Sequence, residues 1–499
     1  MLKHLSRFCK MVLSIFLVLI LVVPVSATPR SHTLSPESYV YNRAGAEFFM
    51  ATPAPAPYRF SRSVTAQDIG VDSLINLMEI EYHDGRFFIT NGASLVVTDS
   101  DFNAITILEG IDVDGQWENF TPLNGIFITR QGEIYVAEPG AGRVLHFDSD
   151  LNLVRVLGRP EGLTLSEDVP YQPIKVAVDH HGRIYVISNN VFEGIVEINA
   201  DGTFNRYFGV VEISFSTAER FWRALQTPAQ RVRSRLTLPV NFTNLTVDRT
   251  GFVFATISDA GTDVGVKKLN ARGENILRRP EDEHFDHFVG DLNFNTFGIG
   301  VPFGPSTISI VQVTDFGVYY AFDSNRNRVF AYDQDGHMLF AFGGTGTREG
   351  TTDTVTGMTM TENRLVFADR GNRSIEVFER TVYGNLVLSA AERQFNNDYM
   401  GAAHYWQQVL NLNPFFQYAY VGVGIALFRQ GYFEEAMEFF RHGQDVAFFS
   451  MAYQQVRADN MYENFNTIMT VIVMLLAAYI LYKIARKIWT VKKQKGAIA

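Results

Sequence analysis

Apolar and polar residues alternate with a period of two through most of residues 70–382, and short clusters of Gly, Asp and Asn interrupt the alternation. That pattern predicts half-buried β-strands joined by tight turns. One turn-and-strand unit recurs. It reads Asp84-Gly85-Arg86-Phe87-Phe88, then Gln131-Gly132-Glu133-Ile134-Tyr135, then His181-Gly182-Arg183-Ile184-Tyr185. Thr250-Gly251-Phe252-Val253-Phe254 and Phe316-Gly317-Val318-Tyr319-Tyr320 continue the series. A sixth copy, Asn363-Arg364-Leu365-Val366-Phe367, carries Asn at the turn, a residue that also tolerates left-handed backbone. Three residues after each turn glycine stands an aromatic (Phe88, Tyr135, Tyr185, Phe254, Tyr320), which predicts equivalent burial in equivalent units. A second strand follows at 143–147, 194–198, 266–269 and 328–332, each running into a further Asp, Asn or Gly turn, as hairpins do.

The turn positions are 85, 132, 182, 251, 317 and 363, so most units span close to 45 residues. Three or four short strands at that spacing predict the blades of an all-β, six-bladed propeller. Two intervals are longer and hold inserts at roughly 210–238 and 278–306. The stretch before the first unit, around Tyr58-Arg59-Phe60-Ser61, is available to add a strand to the last blade and close the ring.

From residue 383 the spacing turns helical. Ala402 and Trp406 recur 34 residues later as Ala436 and Phe440, with Gly424 placed for close helix contact and Pro414 ending the first unit. Residues 464–482 then carry no charge. At about 1.5 Å per residue they cover close to the hydrocarbon core of a bilayer. Lys483, Arg486, Lys487, Lys492, Lys493 and Lys495 follow with no acid, and such basic flanks stay on the cytoplasmic side. At the other end, Lys3, Arg7 and Lys10 precede an apolar run and Val25-Ser26-Ala27, the layout of a secretory signal.

The expected organisation is therefore a signal peptide over 1–27, an N-terminal extension over 28–69 and a propeller over 70–382. Two helical repeats follow over 383–450, then a juxtamembrane helix over 451–463, a transmembrane helix over 464–482 and a basic tail over 483–499.

Composition sharpens this picture. Hydrophobic residues make up 46% and charged residues only 19%, which excludes general disorder. The single cysteine, Cys9, excludes an intrachain disulfide and a Cys-based metal site. The net charge of −10 hides an asymmetry: with the two basic ends set aside, residues 28–482 carry −19. An acidic body disfavours binding to a phosphate backbone, so no nucleic-acid partner is expected.

Asp323-Ser324-Asn325-Arg326-Asn327-Arg328 and Ala368-Asp369-Arg370-Gly371-Asn372-Arg373, each leading into a strand, resemble NHL repeats over about residues 70–385. Residues 383–450 resemble two tetratricopeptide repeats. The resemblance implies an NHL-like propeller joined to a small all-α segment and one transmembrane helix. In bacterial membrane proteins of this type it implies an interaction surface accompanying nutrient uptake. NHL-type propellers also include lactonase-like enzymes, which implies, as the alternative, an extracytoplasmic hydrolase or lyase with a divalent metal in the axial channel.

Such a metal needs oxygen ligands from the innermost strands. The candidate inner strands are 78–82, 125–129, 175–179, 244–248, 310–314 and 357–361, and their ionisable residues are Glu79, Glu81, Lys175, Asp179 and Asp248. Asp179 and Asp248 stand just before turns, a usual place for Asp. His180-His181 falls in a turn, with its side chains expected to point apart. His284, Asp286 and His287 on the second insert are the candidate metal ligands, since His at i and i+3 share a helical face. On the first insert, Ser216 with Glu219 forms a capping box ahead of Phe221, Trp222 and Leu225, a candidate partner-binding face. No nucleophile triad and no phosphate-binding glycine loop is visible, so no cofactor is expected. The expected function is a binding or scaffold protein at the cell membrane. Its N-terminal body lies outside the cytoplasm and its tail inside, and it engages a protein partner or an extracellular glycan.

Overall fold

A computed structural model describes residues 38–43, 49–163, 169–210, 242–257, 265–278, 289–291 and 305–495. Among these, one compact unit holds 38–41 and 50–385, and a second holds 42–43, 49 and 386–495.

The first unit is a six-bladed β-propeller. Each blade is an antiparallel sheet whose strands follow one another from the axis outward. Blade 1 runs Leu77–His83, Arg86–Asn91, Ser94–Asp99 and Ala104–Leu108; blade 2 runs Ile126–Ile128, Ile134–Glu138, Arg143–Phe147 and Leu153–Leu157. Blade 3 comprises Gln172–Val178, Ile184–Asn189, Ile195–Ile198 and Phe204–Phe208. Blade 4 has three described strands, Phe242–Val247, Val253–Ile257 and Val266–Leu269. Blade 5 begins with Ile308–Val313, Tyr319–Asp323, Arg328–Tyr332 and Met338–Phe342, and Tyr39 pairs with Ala341 at its outer edge. Blade 6 takes Val355–Met360, Arg364–Asp369 and Ser374–Arg380 from the end of the propeller sequence. Its fourth strand, Tyr58–Val64, comes from before blade 1 and pairs antiparallel with Ser374–Arg380. The first strands of neighbouring blades touch all the way round the ring.

The core lies in layers between blades. Val64, Leu77, Ile80, Phe87, Val366 and Val377 join blades 6 and 1. Phe88, Val97, Ile126, Ile134 and Phe147 join blades 1 and 2. The aromatic column is buried in every copy, with Phe88, Tyr135, Tyr185, Phe254 and Tyr320 all at most 3% exposed. The five turn glycines share one backbone state, with φ between 76° and 86°. Asn363 departs from expectation, because its φ is not positive. There the turn closes through Thr361, whose amide donates to the Arg364 carbonyl (2.9 Å) and whose Oγ1 accepts from the Arg364 amide (3.0 Å).

The repeated acids organise loops. Buried Asp323 accepts from the amides of Thr307 (3.0 Å) and Asn325 (2.9 Å) and from Arg326 Nη1 (3.1 Å). Asp369 accepts from the amides of Asp353 (2.8 Å) and Thr354 (3.0 Å) and from Asn372 Nδ2 (2.9 Å). In both cases the acid ties the end of a second strand to the loop that enters the first strand of its own blade. These bonds satisfy loop amides that would otherwise be buried unpaired.

The helices that follow the propeller are Val382–Phe395 (α1), Tyr399–Leu412 (α2), Gln417–Arg429 (α3), Phe433–His442 (α4), Val446–Glu463 (α5) and Phe465–Lys495 (α6). Asp398 caps α2 through the Gly401 amide (2.9 Å), and Asp445 caps α5 through the Phe448 amide (2.9 Å). Helix α5 therefore starts at Val446, and it does not continue unbroken into the apolar segment: the chain turns at Asn464. Buried Trp406 and Phe440 pack against the glycines of α3, Gly422 and Gly424. Asn42 and Arg43 belong to this unit. The Arg43 amide donates to Gln417 Oε1 (2.7 Å) while Gln417 Nε2 donates to the Arg43 carbonyl (3.0 Å). Within α6, Phe465–Trp489 is long and apolar enough to cross a membrane, and none of it is buried.

Candidate axial site

Five of the six first strands carry a β-bulge near their start, between Leu77 and Glu79, Pro173 and Lys175, Phe242 and Asn244, Ile308 and Ile310, and Val355 and Gly357. The pairing register then places Glu79, Gly125, Lys175, Asn244, Ile310 and Gly357 at one level of the ring. Two residues on, where side chains return to the same face, stand Glu81, Phe127, Ala177, Thr246, Gln312 and Thr359.

Polar side chains at each level meet across blades that are not neighbours. At the first level, Lys175 of blade 3 pairs with Glu79 of blade 1, passing inside blade 2. At the second, Gln312 Nε2 of blade 5 donates to Glu81 Oε1 of blade 1 (2.9 Å), passing inside blade 6, where it also donates to the Met358 carbonyl (2.9 Å). Thr359 Oγ1 donates to Glu81 Oε2 (3.2 Å) and accepts from the Tyr82 amide (3.1 Å). Glycines in the bypassed blades leave the room. A β-carbon at Gly125 would stand 3.0 Å from Lys175 Cδ, and one at Gly357 would stand 2.4 Å from Glu79 Oε1.

Electrostatics follow from burial. Desolvation pushes the Glu81 carboxyl up to about 7, against the bonds from Gln312 and Thr359, which favour its charged form. Burial pushes the Lys175 ammonium down from its ordinary value, and contact with the Glu79 carboxylate opposes that shift.

It does not fit a divalent metal. Among the described residues no three His, Cys, Asp or Glu side chains come together as a metal-holding group. Glu79 is matched to an ammonium, and both Glu81 oxygens accept from protein donors. A hard dication takes several oxygen ligands carrying net negative charge, which this arrangement does not offer.

Of the residues singled out from sequence, Glu79 and Lys175 meet on the axis, and Glu81 lies one level on, bonded to Gln312 and Thr359. Asp179 and Asp248 hold their turns, Asp179 through the amides of His181 (2.9 Å) and Arg183 (3.0 Å), Asp248 through those of Thr250 (2.8 Å) and Phe252 (3.0 Å). His180 and His181 lie exposed in their turn, but their rings do not point apart: the centroids are 3.9 Å from each other, because a turn does not alternate its side chains as a strand does. Phe221, Trp222, Leu225, His284, Asp286 and His287 lie outside the described residues. Gln312 and Thr359 were missed, being uncharged. The signal that identifies them is their register position, two residues beyond the bulge in their blades.

The fold and axis define the class, a six-bladed propeller followed by a helical region with one membrane-length helix. Several solved structures are similar to this chain at low identity. A virginiamycin B lyase from Staphylococcus aureus is similar at 10% identity over 65% of this chain and all of that one, with a TM-score of 0.39. A gluconolactonase from Xanthomonas campestris is similar at 11% identity over 70% of this chain and 98% of that one, with a TM-score of 0.39. A protein of unknown function from Bacteroides thetaiotaomicron is similar at 12% identity over 69% and 90%, with a TM-score of 0.41. No family model and no curated protein matches the sequence.

Proposed function

We propose that this chain is a membrane-anchored binding or scaffold protein. Its propeller, of NHL type, and its tetratricopeptide-like helices stand outside the cytoplasm and engage a protein partner in or near the membrane. One observation carries the reading. The apolar stretch Phe465–Trp489 has no buried part, so its hydrophobic surface needs a bilayer or an equivalent apolar cover. The cations from Lys483 onward support a tail on the cytoplasmic side, and the signal-like layout of residues 1–27 supports export of the body. The axial residues support binding over metal-assisted hydrolysis, since their acids are already matched to protein donors.

The test uses the full chain in its native membrane. It should resist alkaline extraction, and protease added from outside should digest the propeller while sparing an epitope on the tail. Release by alkali, or protection of the propeller, refutes the anchored arrangement. Crosslinking in the same membranes, read by mass spectrometry, should recover a transporter or another envelope protein. Recovery of no protein redirects the ligand to an extracellular glycan.

A further inference from the structure

We infer that Lys175 is a tethered axial cation: its ammonium supplies the positive charge that the buried carboxylate of Glu79 requires, so the propeller neither needs nor takes a divalent ion on its axis. The residues argue this together. Glu79 is almost fully buried and faces the centre of the ring. A carboxylate there must be matched by a positive group or lose its charge. Lys175 reaches it from two blades away, and the ammonium, with only 12% of its side chain exposed, has been taken out of water to do so.

The flanking backbone is shaped for this contact. Gly125 and Gly357 occupy the same ring level, one beside each partner. A β-carbon at Gly125 would fall 2.9 Å from Lys175 Cα, and one at Gly357 would fall 2.9 Å from Glu79 Cα. The remaining members of that level, Asn244 and Ile310, add no charge. One level on, the only acid is Glu81, whose burial favours its neutral form and whose oxygens serve Gln312 and Thr359. Among the described residues the axis thus holds one matched pair of opposite charges, with no surplus of negative charge for a dication.

The contact also has a geometric consequence. A side chain of blade 3 bonded to blade 1 braces three blades at once, which a free ion held by one or two carboxylates would do less directionally. Removal of one partner of a buried pair strands the other charge, whereas removal of both is often tolerated. That asymmetry separates a charge-matching role from simple packing.

The experiment is thermal unfolding of the full chain in detergent micelles at neutral pH, with and without EDTA and with excess MnCl2. The wild type should melt at the same temperature in all three conditions. Lys175→Met should melt several degrees lower, and Lys175→Met with Glu79→Gln should regain most of the loss. A drop in the wild-type melting temperature on chelation, or a rise with Mn2+, overturns the inference, as does a double variant no more stable than the single one. If Lys175→Met fails to fold, a double variant that folds and melts near the wild type supports the inference, and one that also fails to fold overturns it.

Discussion

Trp406 fills the space that a side chain at Gly422 would need: a β-carbon there would stand 2.2 Å from Trp406 Cδ1. The indole is fully buried, and its Nε1 donates to Gln394 Oε1 (3.2 Å), which links α1, α2 and α3. Gly422→Ala should therefore force α2 and α3 apart and cost about 1–3 kcal/mol, as overpacking does. Trp406→Ala should cost about 3–5 kcal/mol through the cavity it leaves. Denaturant unfolding followed by helical circular dichroism checks both, and an unchanged midpoint for either would refute the packing account.

Glu81 should make stability depend on pH. Its carboxyl is raised in the folded protein to about 7 from an ordinary 4.5. Between those values the folded chain keeps a proton that the unfolded chain has released, so stability falls as pH rises through the window. The contribution is complete below pH 4.5 and lost above about 7. Glu81→Gln should remove it and raise stability above neutrality by about 2 kcal/mol, the shift being discounted for partial exposure to the channel. Melting temperature against pH, compared between the two proteins, reads the effect. Parallel curves would rule it out.

Ring closure rests on a strand borrowed from before blade 1. Tyr58 stacks on Phe342 with centroids 5.3 Å apart, and its hydroxyl meets that of Tyr320 (3.0 Å), so the closing strand also binds blade 5 to blade 6. Tyr58→Ala should lower stability by about 3–5 kcal/mol, in the range of a buried aromatic truncation. Tyr58→Phe should cost about 1–2 kcal/mol, since it leaves the Tyr320 hydroxyl without this partner. Equal losses for the two variants would show that the ring adds nothing beyond its hydroxyl and would refute the packing account.

Gly251 and Asn363 occupy equivalent turns in different backbone states, so glycine should matter at the first and not at the second. Gly251 has φ +85°, and a β-carbon there would meet His180 Cε1 at 2.6 Å. Gly251→Ala should cost about 1–3 kcal/mol for its left-handed backbone and crowding. Asn363→Gly should give no relief of strain and lower stability by less than about 1 kcal/mol through added freedom of the unfolded chain. Thermal unfolding of the pair checks this. A stabilising Asn363→Gly would contradict the observed turn.

Much of the propeller was legible because its signals are local. The glycine turns, the aromatic column and the loop-binding acids Asp323 and Asp369 each depend on backbone state or burial within one blade, and each repeats. The charge-free stretch after Asn464 was legible for the same reason, as were Trp406 and Phe440 at equal positions of their helices. Asn363 misled because side-chain bonding by Thr361 replaced the left-handed turn, and single-residue tolerance does not reveal which solution a turn adopts.

The axial residues mark the boundary. Chain order alone puts Glu79, Glu81 and Lys175 on innermost strands, because each blade is built outward from its first strand. It did not determine that Lys175 meets Glu79, or that Gln312 and Thr359 meet Glu81. Those partners are separated by 96 residues in the first pair and by more than 200 in the second. Their meeting depends on ring closure by Tyr58–Val64, on bulges that set the register of each inner strand, and on the missing side chains of Gly125 and Gly357. Alternation records which face a residue occupies. Only the closed ring decides what stands opposite it, because that distance is set by six blades packing together.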